Sequence, residues 1–280
     1  MSGKSAHNPS CVRRLKDNYT STCYVALEDR AMSSDQNPPL FTNRWAKEAP
    51  ANTVPRPLCL CLEAQFRKER WSELKLHTEQ QDMACSGWAR LLELIEAAAS
   101  DKREEFSPVR EMTPEQWTPI VTLPPSIAKL KSVKHFILYG SSLVRIPPEI
   151  SEMTSLEQFT PYTSYRLHWF PYEITRCANL KRSTVSTRAL YGNFKYRPPF
   201  PRLPQLHRSY TPTKCSVCDS PFGDSAPLQY WVSLGVATDV LPLLVHACSR
   251  ECLSRIPTPP EAYVQTPHQG GLGLSQPPTR

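Results

Sequence analysis

The sequence predicts an α/β protein: a short solenoid of repeats with a helical region before it and a small metal-binding module after it. Three observations lead to this prediction. An apolar–proline step recurs at residues 123, 146 and 170. A helical apolar period precedes these steps at residues 86–100, and two closely spaced cysteine pairs follow them at residues 215–252.

The composition excludes several protein classes. The chain has 280 residues, a net charge of +7, 29 prolines and 9 glycines. The shortage of glycine argues against folds built on glycine-rich phosphate loops. No apolar run approaches the roughly 18 residues of a membrane-spanning helix, and the N-terminus lacks the apolar stretch of a secretory signal. We therefore expect a cytoplasmic protein that does not associate with membranes.

The first part of the chain is predicted to contain an irregular segment and then a helical cap. Residues 1–57 are polar, rich in prolines and without a sustained period, which predicts an irregular or partly disordered segment. Residues 58–117 are predicted to be a helical capping region, with its clearest helix from Ser86 to Ser100. Residues 113–116 (Thr-Pro-Glu-Gln) carry the N-cap, proline and glutamine that start a second, short helix.

The repeats are predicted to fill residues 118–208. After each apolar–proline step, apolar residues align from one repeat to the next. The aligned sets are Ile127, Ile150 and Ile174, then Leu130, Met153 and Cys177, then Val133, Leu156 and Leu180. This pattern resembles the 23-residue type of leucine-rich repeat, and the resemblance implies about three repeats, the last one divergent. Each such repeat is a strand and a return segment that are buried only against a neighbouring repeat. The alternative is an amphipathic helical segment with coincidental proline spacing.

The repeats depart from the family pattern at several positions. The asparagine usual in the turn after the strand is Ser141 in the first repeat and Ser164 near the second. Pro161 stands where a strand residue is expected, and Ser183 replaces an apolar residue in the third repeat. We expect the helical region to cover one end of the solenoid and residues 187–208 to cover the other.

The resemblance also implies a concave surface that binds a protein. The candidate partner-binding residues lie on the predicted strands or in loops beside them: His135, Tyr139, Gln158, Tyr162, Tyr165, Arg166, His168, Arg182 and Arg188. Exposed aromatic and arginine side chains are typical of binding hot spots. The alternative is that several of these aromatic side chains pack irregular loops of the second repeat.

Four of the ten cysteines form a metal-ligand pattern in a module at residues 209–256. Two residues separate Cys215 from Cys218, 29 residues follow, and three residues separate Cys248 from Cys252. Four thiolates around one ion form a closed structural Zn²⁺ site, which leaves no open position for catalysis. The alternatives are two redox pairs or free thiols.

The residues around these cysteines support one zinc ion. Residues 228–234 and 241–246 are predicted to be strands, and Ser249 can cap a helix over residues 248–255. The order of knuckle, hairpin and helix resembles treble-clef zinc fingers of the TRASH and MYM types. His246 is a spare candidate ligand, although we expect a hydrogen-bonded core residue there. Residues 257–280 are predicted to be a Pro/Gly-rich tail with His268 in solvent.

Positive charge is concentrated in residues 174–218, which hold nine Lys and Arg residues and no Asp or Glu. This basic segment favours an acidic protein partner. Nucleic acid is the alternative partner, because aromatic residues between the cations could stack on bases. Those aromatic residues are Tyr191, Phe194, Tyr196, Phe200 and Tyr210.

The sequence therefore predicts a non-catalytic macromolecular-recognition protein with one structural Zn²⁺. The first alternative is a nucleic-acid-binding protein that uses the basic segment and the zinc finger. The second is an enzyme with a Tyr/Arg/His site in residues 162–193, although no nucleophile or catalytic motif accompanies these residues.

Overall fold

The computed structural model describes residues 76–185, 191–236 and 238–278. The irregular segment 1–57, the first part of the predicted capping region and Arg188 lie outside the described residues. The described residues form a mixed α/β structure with two small sheets and no closed barrel. Among them, no helix is both long enough and apolar enough to cross a membrane.

The predicted helix at Ser86–Ser100 is confirmed as α1, Ser86–Asp101. One face of α1 is buried, and its buried side chains include Trp88, Leu91, Leu94, Ile95 and Ala98. The first turn is preceded by Cys85, whose side chain makes no capping hydrogen bond. The helix is therefore held by its apolar face rather than by a cap.

The short helix α2, Pro114–Trp117, begins with the predicted capping box. The Gln116 N–H donates to the Thr113 hydroxyl at 3.3 Å, and the Thr113 N–H donates to the Gln116 side chain at 3.0 Å. Helices α1 and α2 approach closely at Gly87, where an added Cβ would lie 1.9 Å from the Gln116 carbonyl oxygen. This contact requires glycine at position 87.

The first sheet contains three short parallel strands: β1 (Glu105–Phe106), β2 (His135–Ile137) and β3 (Gln158–Thr160). Their central phenylalanines, Phe106, Phe136 and Phe159, are in register and fully buried. Neighbouring ring centroids are 5.6 and 5.7 Å apart, so the rings form a continuous stack. Strand β1 lies inside the region predicted to be helical. The sequence did not indicate it, because a two-residue strand leaves no periodic pattern.

Each apolar–proline step is followed by a five-residue 3₁₀ helix. These helices are Pro125–Lys129, Pro148–Glu152 and Tyr172–Arg176. Each buries the isoleucine that aligns across the repeats, and each contacts the next helix. The three aligned isoleucines are thus buried in the core and shielded from solvent.

The second sheet has the order β4-β6-β5, with β4 (Phe170–Pro171), β5 (Leu228–Val236) and β6 (Asp239–Ala247). Strands β5 and β6 are the two predicted strands, and they form an antiparallel hairpin. Strand β4 pairs with β6 in parallel, and Phe170 continues the phenylalanine stack at 5.6 Å from Phe159. Leu241 and Leu243 of β6 pack in the same core. The hairpin is therefore joined to the repeat region by backbone and by side chains.

The third predicted strand does not form in residues 182–185, contrary to the prediction. The Phe159 N–H donates to the Ser183 hydroxyl at 3.3 Å, so a side chain takes the place of a backbone acceptor. The Thr184 N–H still donates to the Phe159 carbonyl at 3.2 Å. Arg182 has a φ of 50°, which bends the chain out of an extended conformation.

The last segment packs on the hairpin, so the prediction of a solvated His268 is wrong. The backbone of His268 exchanges two hydrogen bonds with Trp231 of β5, at 2.7 and 2.8 Å. Its ring nitrogen Nε2 lies 2.9 Å from the Ser233 hydroxyl, and Phe200 packs edge-on against the ring at 4.5 Å. The free edge of β5 gives this segment backbone partners that composition alone does not reveal.

Residues 191–206 pack on the hairpin as well. Their buried side chains are Tyr191, Phe200, Leu203 and Leu206, which join Trp231 and Leu244 in one apolar cluster. Tyr191 and Phe200, two of the aromatic residues expected to stack on nucleic acid, are therefore core residues.

Candidate metal centre and binding surface

The four predicted cysteine ligands come together at one end of the hairpin. Cys215 and Cys218 lie on a tight turn closed by an N–H···O bond of 3.0 Å from Asp219 to Cys215. Cys248 directly follows β6, and Cys252 lies in α3, Arg250–Ser254. The sulfur atoms of all four residues lie within 4.8 Å of one another.

Backbone groups orient the sulfurs of this site. The Val217 and Cys248 N–H groups both donate to the Cys215 sulfur at 3.4 Å. The Ser249 side chain accepts the Cys252 N–H at 3.2 Å, which confirms the predicted cap of α3. The turn and the helix start therefore place the sulfurs before any ion binds.

The spacing of the sulfurs is that of a tetrahedral ion site. Cys248 Sγ lies 3.6 Å from Cys218 Sγ and 3.5 Å from Cys252 Sγ. Four sulfurs about 2.3 Å from a central ion would lie about 3.8 Å from one another. A disulfide would require about 2.05 Å, and all four cysteines are free. The cluster is compatible with a single bound metal ion.

The thiols of the cluster differ in acidity. The side chain and backbone of Ser220 lower the pKa of Cys218 to about 6, which favours a thiolate at neutral pH. Hydrogen bonds with Cys252 and Cys218 raise the pKa of Cys248 to about 12. A metal ion must therefore displace protons when it binds. Sequence reasoning did not single out Ser220, although a hydroxyl residue two positions after Cys218 is the signal that could have indicated it.

Two other predicted residues are placed in the core. His246 is buried, with Nε2 3.3 Å from the Gln229 amide nitrogen, and burial lowers its pKa to about 4. It is not one of the four clustered ligands. The Cys177 thiol donates to the Ile150 carbonyl at 3.2 Å, and burial raises its pKa to about 11.

The predicted partner-binding residues of β2 and β3 share one face of the first sheet. His135 and Gln158 are paired in register, and both are half-buried. The His135 ring nitrogen Nε2 lies 3.1 Å from the Thr160 hydroxyl. Just beyond the strands, Tyr139 and Tyr162 are 53% and 46% exposed, with their rings 6.1 Å apart. Two large aromatic side chains thus stand side by side in solvent.

The other predicted partner-binding residues are not brought together with this pair. His168 is buried against His77, with ring centroids 5.0 Å apart, so its prediction as an exposed binding residue is wrong. Arg166 is half-buried and pairs with Glu79. Tyr165 is half-buried, and Arg182 is exposed at the broken third strand. His168 is buried because the chain folds inward before Trp169, which lies in the core.

The basic segment is partly neutralised. Arg176 Nη1 lies 3.2 Å from Asp219, and the Lys214 ammonium lies 4.0 Å from the same carboxylate. Arg197 is half-buried over the Tyr263 ring. Phe194 and Tyr196 are more than half exposed, on either side of Lys195. Within the described residues, part of the positive charge of this segment is therefore already paired or packed.

No protein-family model matches the chain, and no curated protein matches its sequence.

Proposed function

We propose that this protein is a non-catalytic recognition protein, in which a short leucine-rich-repeat solenoid binds a protein partner through its concave surface. A C-terminal treble-clef zinc finger would stabilise the end of that solenoid. The observation that carries the proposal is the exposed pair Tyr139 and Tyr162 at the edge of a parallel sheet.

Three regularities support the solenoid. The three parallel strands are in register, their phenylalanines stack, and a 3₁₀ helix follows every proline step. The Ser164 hydroxyl bonds the turn after β2, where the family has asparagine, by donating to the Leu138 carbonyl at 3.0 Å. These features match the strand and return segment that the leucine-rich-repeat pattern implies.

The Tyr139 and Tyr162 pair supports protein recognition. Tyrosine offers a large rigid apolar area and a polar hydroxyl, which makes it common in binding hot spots. At the start of the third repeat, Lys181 and Arg182 align with Lys134 and His135; both are exposed, and neither makes an ion pair with a described residue. An acidic partner would complement these two charges.

The surface is tested by replacing both tyrosines. Full-length protein carrying Tyr139→Ala and Tyr162→Ala would be compared with wild type by affinity purification and quantitative mass spectrometry from cells that express it. We expect at least one wild-type partner to be recovered about tenfold less with the double variant. The control is Leu272→Ala, which removes an exposed apolar side chain elsewhere. Unchanged recovery of every partner by the double variant would contradict the proposed surface.

We also propose that the four-cysteine site holds one structural Zn²⁺. Four thiolates are a complete tetrahedral set for zinc, and N–H groups already bond one of the sulfurs. The cysteines would supply charge and geometry for the ion, and Ser249 would orient Cys252 through the helix start. No position of such a set remains open for substrate.

Metal analysis of the purified full chain tests the zinc proposal. We expect one zinc per chain, released by a thiol-modifying reagent in parallel with modification of four cysteines. Cys252→Ser should reduce the zinc content by more than half, whereas Cys85→Ser, at a half-buried thiol outside the cluster, should not. Less than half a zinc per wild-type chain would sink the proposal.

A second candidate function is binding of single-stranded nucleic acid at the turn of residues 193–197. Phe194 and Tyr196 are exposed, and the Lys195 ammonium lies 5.2 Å from the Phe194 ring centroid. Bases stack on such rings beside cations. Filter binding at increasing salt decides the matter: affinity that falls steeply with salt favours this function, and no binding at low salt removes it.

A further inference from the structure

A cleft lies between the 3₁₀ helices that follow the proline steps and the metal-binding module. None of the residues that line it belongs to β1, β2 or β3. Its volume is about 500 Å³, within the usual range of ligand sites. One wall comes from the 3₁₀ helix Pro148–Glu152 and the loop before it. The opposite wall comes from residues 210–215, which lead into the cysteine knuckle.

The base and walls of the cleft are largely apolar. Five apolar residues line it, four of them nearly buried: Trp88, Ile146, Trp169 and Leu244, with Pro147 as the fifth. Tryptophan and proline surfaces bind apolar side chains without losing much conformational freedom. The cleft is therefore suited to an apolar group of a ligand.

One end of the cleft carries an unpaired positive charge. The Arg145 guanidinium lies over the Tyr210 ring, with its carbon 4.0 Å from the ring centroid. It is half-buried, and its Nη1 atom is buried without a hydrogen-bond partner among the described residues. Guanidinium groups stay charged in proteins and match carboxylates with two parallel hydrogen bonds. Glu79 lies close enough to act on the charge of Arg145, but its carboxylate is paired with Arg166. A carboxylate bound in the cleft would give Arg145 a direct partner.

The other charges of the cleft lie on the 3₁₀ helices and on the cysteine knuckle. Glu173 is buried and bonds Ser216, while Glu149 precedes it by one repeat and is close enough to act on its charge. Arg176 and Lys214 both face Asp219, and Glu152 is paired with Lys131. The cleft thus has, beside Tyr210, a cation that makes no ion pair with a described residue, and the half-buried Glu149 carboxylate on the helix Pro148–Glu152.

We infer that this cleft binds the carboxyl-terminal end of a peptide chain whose last residue is apolar. The terminal carboxylate pairs with Arg145, the apolar side chain lies against Trp88 and Trp169, and peptide N–H groups face Glu149. The cleft is larger than a single amino acid requires, which favours a peptide end over a free amino acid. This inference does not depend on the proposed tyrosine surface, since neither Tyr139 nor Tyr162 lines the cleft.

Calorimetric titration of the full chain with three probes tests the inference. The probes are acetyl-Gly-Gly-Leu with a free carboxylate, the same peptide as its C-terminal amide, and free leucine. We expect the free acid to bind at least about tenfold more tightly than the amide, because a charge-assisted pair is lost in the amide. Free leucine is expected to bind more weakly than the peptide acid.

Variants locate the binding in this cleft. Arg145→Gln is expected to remove the preference for the acid, and Thr213→Glu, at an exposed position of the wall, to weaken the acid by repulsion. The control is Arg90→Gln, at an arginine on α1 that pairs with Glu93. Equal binding of acid and amide, equal binding of leucine, no saturable binding, or unchanged binding in Thr213→Glu would each overturn the inference. The wild-type comparison of acid and amide stands even if Arg145→Gln does not fold.

Discussion

Ser164 shows how much of this fold depends on single buried hydroxyls. Its hydroxyl donates to the Leu138 carbonyl at 3.0 Å and accepts the Ser141 N–H at 3.1 Å. The Ser141 and Ser164 hydroxyl oxygens are 2.6 Å apart, and both residues are buried. One side chain thus satisfies two backbone groups of the turn after β2 and links that turn to the next repeat.

Removing this hydroxyl should destabilise the protein. Ser164→Ala removes the hydroxyl that bonds the Leu138 carbonyl, the Ser141 N–H and the Ser141 hydroxyl, and leaves only the direct bond of 3.3 Å from the Ser141 N–H to the Leu138 carbonyl. Because the buried Ser141 hydroxyl then lacks its partner, we expect a loss of about 1–3 kcal/mol in the free energy of unfolding. Urea denaturation measures it. Ser100→Ala, at an exposed serine near the end of α1, is the control and should change stability by no more than about 0.5 kcal/mol. Equal effects of the two substitutions would show that the serine pair contributes no stability.

His168 gives a prediction about acid. Burial lowers its pKa to about 3, with His77 and Arg166 adding to the effect and Glu79 opposing it. In the unfolded chain the pKa is near 6.5, so below that value the unfolded state takes up a proton that the folded state does not. The stability that neutral His168 contributes is complete above pH 6.5 and is lost as the pH falls towards 3.

The pH dependence of a His168→Gln variant tests this account. Between pH 7.5 and pH 5.5 wild type should lose about 1 kcal/mol more free energy of unfolding than the variant. Urea titrations at both pH values give this double difference, and effects of acid on the cysteine site cancel in it. Ser100→Ala, which changes an exposed residue without a titratable group, should keep the wild-type slope. The account would be contradicted if wild type and His168→Gln differed in free energy of unfolding by the same amount at both pH values.

At the scale of elements, the contact between α1 and α2 depends on Gly87. An added Cβ would meet the backbone of Gln116 at 1.9 Å, and backbone does not move aside as a side-chain end does. Gly87→Ala is therefore expected to separate the helices and to cost about 1–3 kcal/mol of stability. Thermal unfolding compares it with Gly273→Ala, whose Cβ meets nothing within 4 Å. A variant Gly87→Ala as stable as Gly273→Ala would show that the helices repack freely.

Elements with local signals could be predicted from the sequence, and those fixed by distant partners could not. The helix at Ser86–Asp101, the capping box of α2, and the hairpin strands follow from periodicity and capping chemistry. The cysteine spacing likewise indicated the four clustered sulfurs. Strand β1 and the pairing of β4 with β6 were missed, because two-residue strands have no period and their partners lie far along the chain.

The same physical reason explains the candidate residues that were misplaced. His168 was expected on a surface because of its neighbours in sequence. In the structure both His168 and the adjacent Trp169 are buried, and His168 packs against His77. Arg145 was not singled out, since an arginine before an apolar–proline step has no distinctive pattern. Its place over Tyr210 depends on a contact between residues 65 positions apart, as their numbers show.

At the scale of the whole molecule, the proposed zinc ion should stabilise the hairpin more than the first sheet. The cysteines hold the two ends of the knuckle and hairpin together, whereas β2 and β3 are held by the phenylalanine stack. Removing the metal with a chelator should raise hydrogen exchange of β5 and β6 amides by at least about tenfold, with much smaller changes in β2 and β3. Exchange measured by mass spectrometry gives both values. Equal increases in both sheets would mean that the molecule opens as one unit, and Cys252→Ser should reproduce the chelator pattern.

Phe170 belongs to two structures at once: its backbone pairs with β6 of the second sheet, and its ring ends the phenylalanine stack of the first. We consequently do not expect the cysteine module to fold independently of the rest of the chain. A gene fragment that begins at residue 209 would encode a hairpin without the strand that borders it, and a fragment that stops there would leave the last ring of the stack uncovered. Each fragment would lack contacts that Phe170 makes in the whole chain, so we expect neither part to be as stable alone as it is beside the other.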